Sequence, residues 1–371
     1  MFEKKKPIGL FVFFIYLSVM VFAFDIKKER EIYIKSDKKS FIQQPFSFII
    51  SNKGDVYIVD YKAANIKIYD SKGNKINIFG RMGVGPNEFV KPNVISYFND
   101  NIIIYDIMLG ARLYKIKRDK LELYGQYRFL PGMLLVMNVR FINEKRLLFS
   151  GIIPRIKNKK KVFYTLCEYD MEKSKTKFIL PGIIDYGVKT TEEFTKRFAK
   201  YINEISPMSY IDNTKDYIFY IKAVDLNLIR INRKNGKIAV FNKESRYFKI
   251  SSRILHQLKK ANEKRDRFLI DEALKKIPLV MSLFITSNNK IMIIYSVYDK
   301  KRSRQNLYYR LCNINGKIIK ESLFYKAGSE YKSDLLSYYN KKNRSLYILD
   351  SETLKNSDLK YKISKFKMID K

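Results

Sequence analysis

An all-β fold, a six-bladed β-propeller closed by an N-terminal strand, is what the sequence predicts, on three observations. Apolar and polar residues alternate at period two down most of the chain. The alternating runs group into six units of similar design. The sixth unit lacks one strand, and the N-terminal region holds one spare. Composition agrees: of 371 residues, 46% are hydrophobic and 15% aromatic, with only 15 Gly and 9 Pro. A disordered chain lacks that much apolar material to offset backbone entropy. The many Ile, Tyr and Phe residues favour strands over helices.

The units follow one another in order. The first, Pro45–Gly80, reads PFSFIIS, DVYIVDY, NIKIYD and KINIFG, with short turns whose Gly and Asn residues tolerate positive φ. The second, Pro92–Arg128, repeats the scheme as NVISYF, NIIIYD, ARLYKI and KLELYG. The third, Leu134–Leu180, contains RLLFSG, VFYTLCEYD and TKFILP; the fourth, Met208–Asn242, contains MSYID, YIFYIK, NLIRIN and KIAVFN. The fifth, Leu279–Tyr325, has LVMSLFIT, IMIIYSV, NLYYRLCNI and IIKESLF. The sixth begins at Ser333 with LLSYY, SLYILD and YKISKFKMI, and then the chain ends. Glu31–Ser36 (EIYIKS) is the strand that completes it. Such a strand closes the ring and removes an exposed sheet edge. Residues 24–371 therefore read as a single propeller domain.

Residues 1–23 read as an export signal. Glu3-Lys4-Lys5-Lys6 is a positive opening, Ile8 to Phe22 is apolar, and Val21-Phe22-Ala23 suits a cleavage site. The apolar run falls short of the roughly 20 residues that span a bilayer. The expected location is extracytoplasmic, periplasmic or secreted, with no stable membrane span after cleavage; an uncleaved signal anchor is the alternative. Against 37 Asp and Glu stand 73 Lys and Arg, a formal net charge of +36. Such a field attracts polyanions, although a codon bias toward Lys also raises it.

The stretch DVYIVDYKAANIKIYDSKGNKINIFG followed by RMGVGPNEFVKP resembles the NHL-type repeat, especially that of exported bacterial six-bladed propellers. The family connector ends Gly-Pro-Gly-Glu-Phe with Pro two residues on; here Gly85, Pro86, Asn87, Glu88, Phe89 and Pro92 stand in those places. Asn87 replaces a Gly, and Asn tolerates left-handed backbone better than most residues. The match covers about Phe46–Arg128 and implies fold more than function.

Two insertions, about 183–207 and 245–278, read as helical. TTEEFTKRFAKYINEI carries Phe194, Phe198, Tyr201 and Ile205 on one face behind a Thr cap. The segment from Ser251 to Ile277 carries Leu255, Leu258, Leu269 and Ala273, and Pro278 stops it. The family resemblance implies that blade-to-blade connectors share one end of the channel with the loops between second and third strands. Both insertions, the Arg81–Pro92 connector, and the basic loops Arg155–Lys161 and Lys300–Arg304 would gather there. Long loops on a rigid scaffold commonly carry binding. Arg81, Glu88, Arg155, Lys159, Arg302 and Arg304 are the candidate ligand contacts on that basic face. The expected role is non-catalytic binding of an anionic glycan, an envelope lipid or a protein partner, with nucleic acid not expected.

No cofactor is expected. The single histidine, His256, cannot make a His-rich metal site, so a resemblance to zinc-dependent amidating lyase propellers stops short of their metal centre. Gly83-x-Gly85 lacks the Lys-Ser/Thr of a phosphate loop. Asp60, Asp106 and Asp350 end second strands. They either accept backbone N–H groups of the following turn or, as in lactonase-like propellers, ring a channel mouth for Ca²⁺. The second choice is the alternative function, a metal-dependent hydrolase or lyase. Cys167 and Cys312 occupy what reads as the same offset in two third strands, too far apart for a bridge, and are expected as buried thiols.

Overall fold

The structure, a computed structural model, describes residues 24–35, 37, 40–117, 120–127, 135–157, 160–181, 209–222, 226–241, 279–299, 301–302, 304–327, 335–353 and 359–370. The leader, both insertions with His256, and Lys159 lie outside the described residues. Strand β1 (Phe24–Tyr33) precedes the first blade, which is β2 (Pro45–Ile50), β3 (Val56–Asp60), β4 (Asn65–Tyr69) and β5 (Lys75–Phe79). Blade two is β6 (Pro92–Phe98), β7 (Asn101–Asp106), β8 (Gly110–Lys117) and β9 (Lys120–Tyr127). Blade three is β10 (Leu135–Asn143), β11 (Arg146–Lys157), β12 (Lys160–Asp170) and β13 (Lys175–Pro181). Blade four is β14 (Ser209–Asn213), β15 (Tyr217–Lys222), β16 (Leu228–Asn232) and β17 (Ile238–Phe241). Blade five is β18 (Leu279–Ile285), β19 (Ile291–Asp299), β20 (Arg304–Cys312) and β21 (Ile318–Lys326). Blade six is β22 (Leu336–Asn340), β23 (Ser345–Thr353) and β24 (Leu359–Asp370), completed by β1 at its outer edge.

Every strand pairs antiparallel with its neighbour in the blade. The innermost strands β2, β6, β10, β14, β18 and β22 touch in turn, and β22 meets β2, so the ring is closed. Side chains stitch these inner strands: Asn93 Nδ2 donates to Val136 O (2.9 Å), Ser337 Oγ to Ser282 Oγ (2.6 Å), and Asn340 Nδ2 to Ile50 O (3.2 Å). The core lies between blades. Ile58, Ile68, Tyr338 and Ile363 belong to one wedge spanning blades six, one and two. Phe149 and Leu113 fill another between blades two and three. Each such buried side chain contributes about 1.5–3 kcal/mol. A register shift at residue 46, 93, 137 or 281 kinks the inner strand of blade one, two, three or five, adding twist where the blades converge.

The closing strand is confirmed and its bounds corrected. The sequence predicts residues 31–36, whereas β1 starts at Phe24 and ends at Tyr33, with Glu31 opposite Ser364 and Ile32 opposite Ile363. A bulge between Lys28 and Arg30 breaks the alternation and hides the first half of the strand. Asn87 needs no left-handed backbone, for positive φ falls at Gly80 (84°) and Gly83 (155°) instead. A Cβ at Gly80 would strike the ring of the buried Phe89 at 2.5 Å. Both cysteines are free and buried, but their offsets differ: Cys167 pairs with Phe149, and Cys312 sits two residues further along its strand, opposite Ile291. The equivalent of Cys167 in blade five is Arg310, opposite Ile293. Burial pushes the Cys167 thiol well above the ordinary range, which keeps it protonated and inert. Among the described residues no helix is long and apolar enough to cross a membrane.

Candidate functional site

Antiparallel order sends the turns to two ends of the channel. First-to-second and third-to-fourth strand turns emerge at one end, here the turn face. Second-to-third turns and the connectors emerge at the other, the connector face, where Ile107 N reaches Lys91 O (3.0 Å) and Tyr61 N reaches Gln44 O (2.9 Å). Of the six candidate contacts, Arg81, Glu88, Arg155, Arg302 and Arg304 fall on the connector face, and Lys159 lies outside the described residues.

There the first connector is tied down by its own side chains. Arg81 Nε donates to Glu88 Oε1 (2.8 Å), and Gly85 N donates to Glu88 Oε2 (2.9 Å). The Gly85 N–H, then Arg81, hold the Glu88 carboxyl below its ordinary value. From β8, the fully buried Arg112 donates to Glu88 O and lies over the Phe89 ring at 5.6 Å, while Tyr114 OH donates to Pro86 O (3.2 Å). The NHL-like motif thus folds back on its own blade. Arg155 sits on β11, with only its backbone described, and faces Val162. The basic stretch there is largely a β-ladder, with Ile156 opposite Lys161 and Lys157 opposite Lys160, where the sequence predicts a loop. Arg302 N donates to Asp299 O (3.3 Å) in a turn, and Arg304 opens β20 opposite Asp299.

The strand-end carboxylates also serve the connector face. Asp60 accepts from Gln43 N (2.8 Å), Gln44 N (3.0 Å) and the buried Lys67 Nζ (2.6 Å). Asp106 accepts from Val90 N, Lys91 N and Met108 N at 2.8–2.9 Å. Asp350, by contrast, does not end its strand, since β23 continues to Thr353, and it accepts from Tyr325 OH (2.9 Å). The backbone N–H groups held by Asp60 and Asp106 fit the turn-anchoring choice for those two residues. Among the described residues, no three His, Cys, Asp or Glu side chains gather closely enough to hold a metal ion.

The turn face is built differently. A cavity of about 1020 Å³ opens at its centre, at the upper end of the range for small-molecule sites. Five inner strands each contribute a wall residue: Ser96 from β6, Arg140 from β10, Asp212 from β14, Phe284 from β18 and Tyr338 from β22. Eight cationic side chains line it against two carboxylates, Glu168 and Asp212, so its field is strongly positive. Glu168 is shared between Arg146 Nη1 (2.9 Å) and Arg233 Nη2 (3.1 Å). Asp212 is buried and accepts from Ile285 N (2.7 Å), Asn213 N (2.8 Å) and Lys341 Nζ (3.1 Å).

Arg140 is left over. Among the described residues it has no hydrogen-bond or ion-pair partner, and it stands near Tyr338 on the opposite side of the ring. Burial raises the Tyr338 phenol, with the Arg140 charge pulling the other way. Tyr97, pushed up to about 12 by burial and its bond to Asp100 (2.7 Å), stays a neutral donor. The sequence pattern does not single out this end, because its turns are short and their basic pairs, Arg233-Lys234 and Lys341-Lys342, are spread over different blades. One signal was available: an arginine inside an inner strand, NVRFIN, at a place where blade one has Ile49 and blade five Phe284.

No known family's sequence profile matches the chain, and no curated protein matches it either. Solved structures do. A DUF4221 family member from Bacteroides vulgatus is similar at 15% identity and TM-score 0.55, over 94% of this chain and 99% of that one. A candidate exported protein of Bacteroides fragilis is similar at 12% identity and TM-score 0.55, over 92% and 94%. A protein of unknown function from Dyadobacter fermentans is similar at 10% identity and TM-score 0.50, over 93% and 99%. At these identities the likeness establishes the six-bladed fold. The NHL resemblance continues to rest on residues 46–128.

Proposed function

We propose that this chain is a non-catalytic binding propeller of the exported type that holds an anionic ligand in the turn-face mouth of its channel. The observation that carries this reading is Arg140, a half-buried cation without a described partner in a cavity where cations outnumber carboxylates. A buried guanidinium is stabilised by a bidentate carboxylate, sulfate or phosphate partner, and the cavity leaves that position to a ligand. From sequence alone the anion is expected on the insert-bearing face. What favours the opposite end is that Arg81 and Glu88 already neutralise each other.

Calorimetric titration with citrate and pyrophosphate tests it. Arg140→Gln should weaken binding about tenfold, the size of one lost charge-assisted contact. Arg81→Gln should leave it unchanged. Raising salt from 20 to 200 mM, about a threefold shorter screening length, should weaken the wild type and flatten its difference from the variant. Sensitivity to Arg81→Gln with indifference to Arg140→Gln would return the ligand to the connector face.

A further inference from the structure

We infer that the ligand is an acidic oligosaccharide, lying with its charged unit in the central mouth and its neighbouring units in a second hollow between blades four and five. This rests on the anion-binding reading above. The second hollow, about 670 Å³, adjoins the first on the turn face, and Asn213, Thr214, Lys215 and Lys341 line both. Its chemistry changes along its length. Lys215 and Lys341 stand at the junction, and beyond them amide and hydroxyl groups, Ser287, Asn289 and Asn313 among others, outnumber one cation, Lys290, and one carboxylate, Asp216. Neutral groups that both donate and accept suit sugar hydroxyls, whereas repeated phosphates call for a cation at each step. Tyr217, Ile314 and Ile319 add the apolar surface on which the C–H face of a pyranose packs.

The wall is set before any ligand arrives. Thr214 Oγ1 accepts from Tyr217 N (3.1 Å), Thr286 Oγ1 from Lys290 N (3.1 Å), and Asn313 Oδ1 from Lys317 N (2.9 Å), so each turn is pinned by its own side chain. The side-chain amides of Asn213 and Asn289, by contrast, make no hydrogen bond among the described residues. Rigid turns carrying unspent amides reduce the entropy lost on binding. Lys341, held by Asp212, marks the step from a strongly cationic wall to one where Lys290 and Asp216 offset each other.

Calorimetry of the purified protein with galacturonate, its tetramer, a neutral glucose tetramer and a single-stranded hexanucleotide tests the assignment. The uronate tetramer should bind about tenfold or more tighter than the monomer, and the neutral tetramer weakest of the three sugars. Ser287→Trp, at an exposed turn position, should bring the tetramer down to the affinity of the monomer without changing monomer binding. A tetramer no tighter than a monomer whose binding still depends on Arg140 would overturn the extended site and leave the central one standing. A hexanucleotide that outcompetes the uronate tetramer would replace the glycan with nucleic acid. Failure of every anion, citrate and pyrophosphate included, would overturn both readings.

Discussion

The two ends of the channel dispose of their charge in opposite ways. On the connector face, ionic groups are consumed within the fold: Lys67 by Asp60, Arg81 by Glu88, and Arg112 by the connector backbone. On the turn face, Glu168 is outnumbered by its two arginines and Arg140 has no described partner. A count of lysines along the sequence cannot see this difference. A formal charge of +36 says that anions will be attracted; only pairing says where one would be held. Under the proposed function, a cation without a described partner on a rigid strand points to the site where density of basic residues does not.

The contrast can be broken by substitution at either end. Asp60→Ala strands the buried Lys67 and three backbone N–H donors, and removal of one partner from a buried pair costs about 3–5 kcal/mol. Its melting temperature should fall steeply while anion affinity of the folded fraction holds; lost affinity with an unchanged melting temperature would invert the roles of the two faces. Next in size, Arg140→Glu should weaken citrate binding about a hundredfold, since it removes one attraction and adds one repulsion. Arg81→Glu, four-fifths exposed and across the channel, should stay within about twofold of wild type by screening alone.

A smaller effect of opposite sign is expected at Glu168. Glu168→Gln removes one of the two carboxylates of the mouth and should tighten anion binding about threefold, a size typical of partly screened charges. The smallest effect is pH-dependent and confined to the connector. Glu88 has a folded value below its ordinary 4.5, so its contribution is in place above pH 4.5 and is lost as pH falls through the lowered value. Amide exchange at Gly85 should accelerate in acid relative to neighbouring amides, and Glu88→Gln should abolish that acid step. An identical profile in both proteins would remove Glu88 from the account.

The fold was legible because its signals are local and repeated. Period-two runs such as NIIIYD and SLYILD fall on β7 and β23, and the missing sixth-unit strand pointed to the N-terminus. Failures came where register shifts. The bulge near Glu29 concealed half of β1, and a two-residue difference in register gave Cys167 and Cys312 a false equivalence. The turn-face cavity was illegible for a different reason. Its wall is assembled from single residues of five inner strands, tens of positions apart, and no local pattern announces that they converge. The cations of the third strands, Lys67, Arg112 and Arg310, were likewise unread. They are buried beside Asp60, the connector backbone and Glu321, partners that only the packed blades bring near.

In blade six, β24 lies between β23 and β1, so the earliest strand of the propeller is zipped to the latest. On a ribosome, Phe24–Tyr33 must wait for Leu359–Asp370 before its ladder can form. That contact has nearly the greatest sequence separation the chain permits, and assembly of the circle is accordingly slow and concentrated in its final step. Completeness is thus tested by the molecule itself. A product cut short by a dozen residues leaves two ribbons of open amides and carbonyls, the kind of surface that proteases and aggregation act on first.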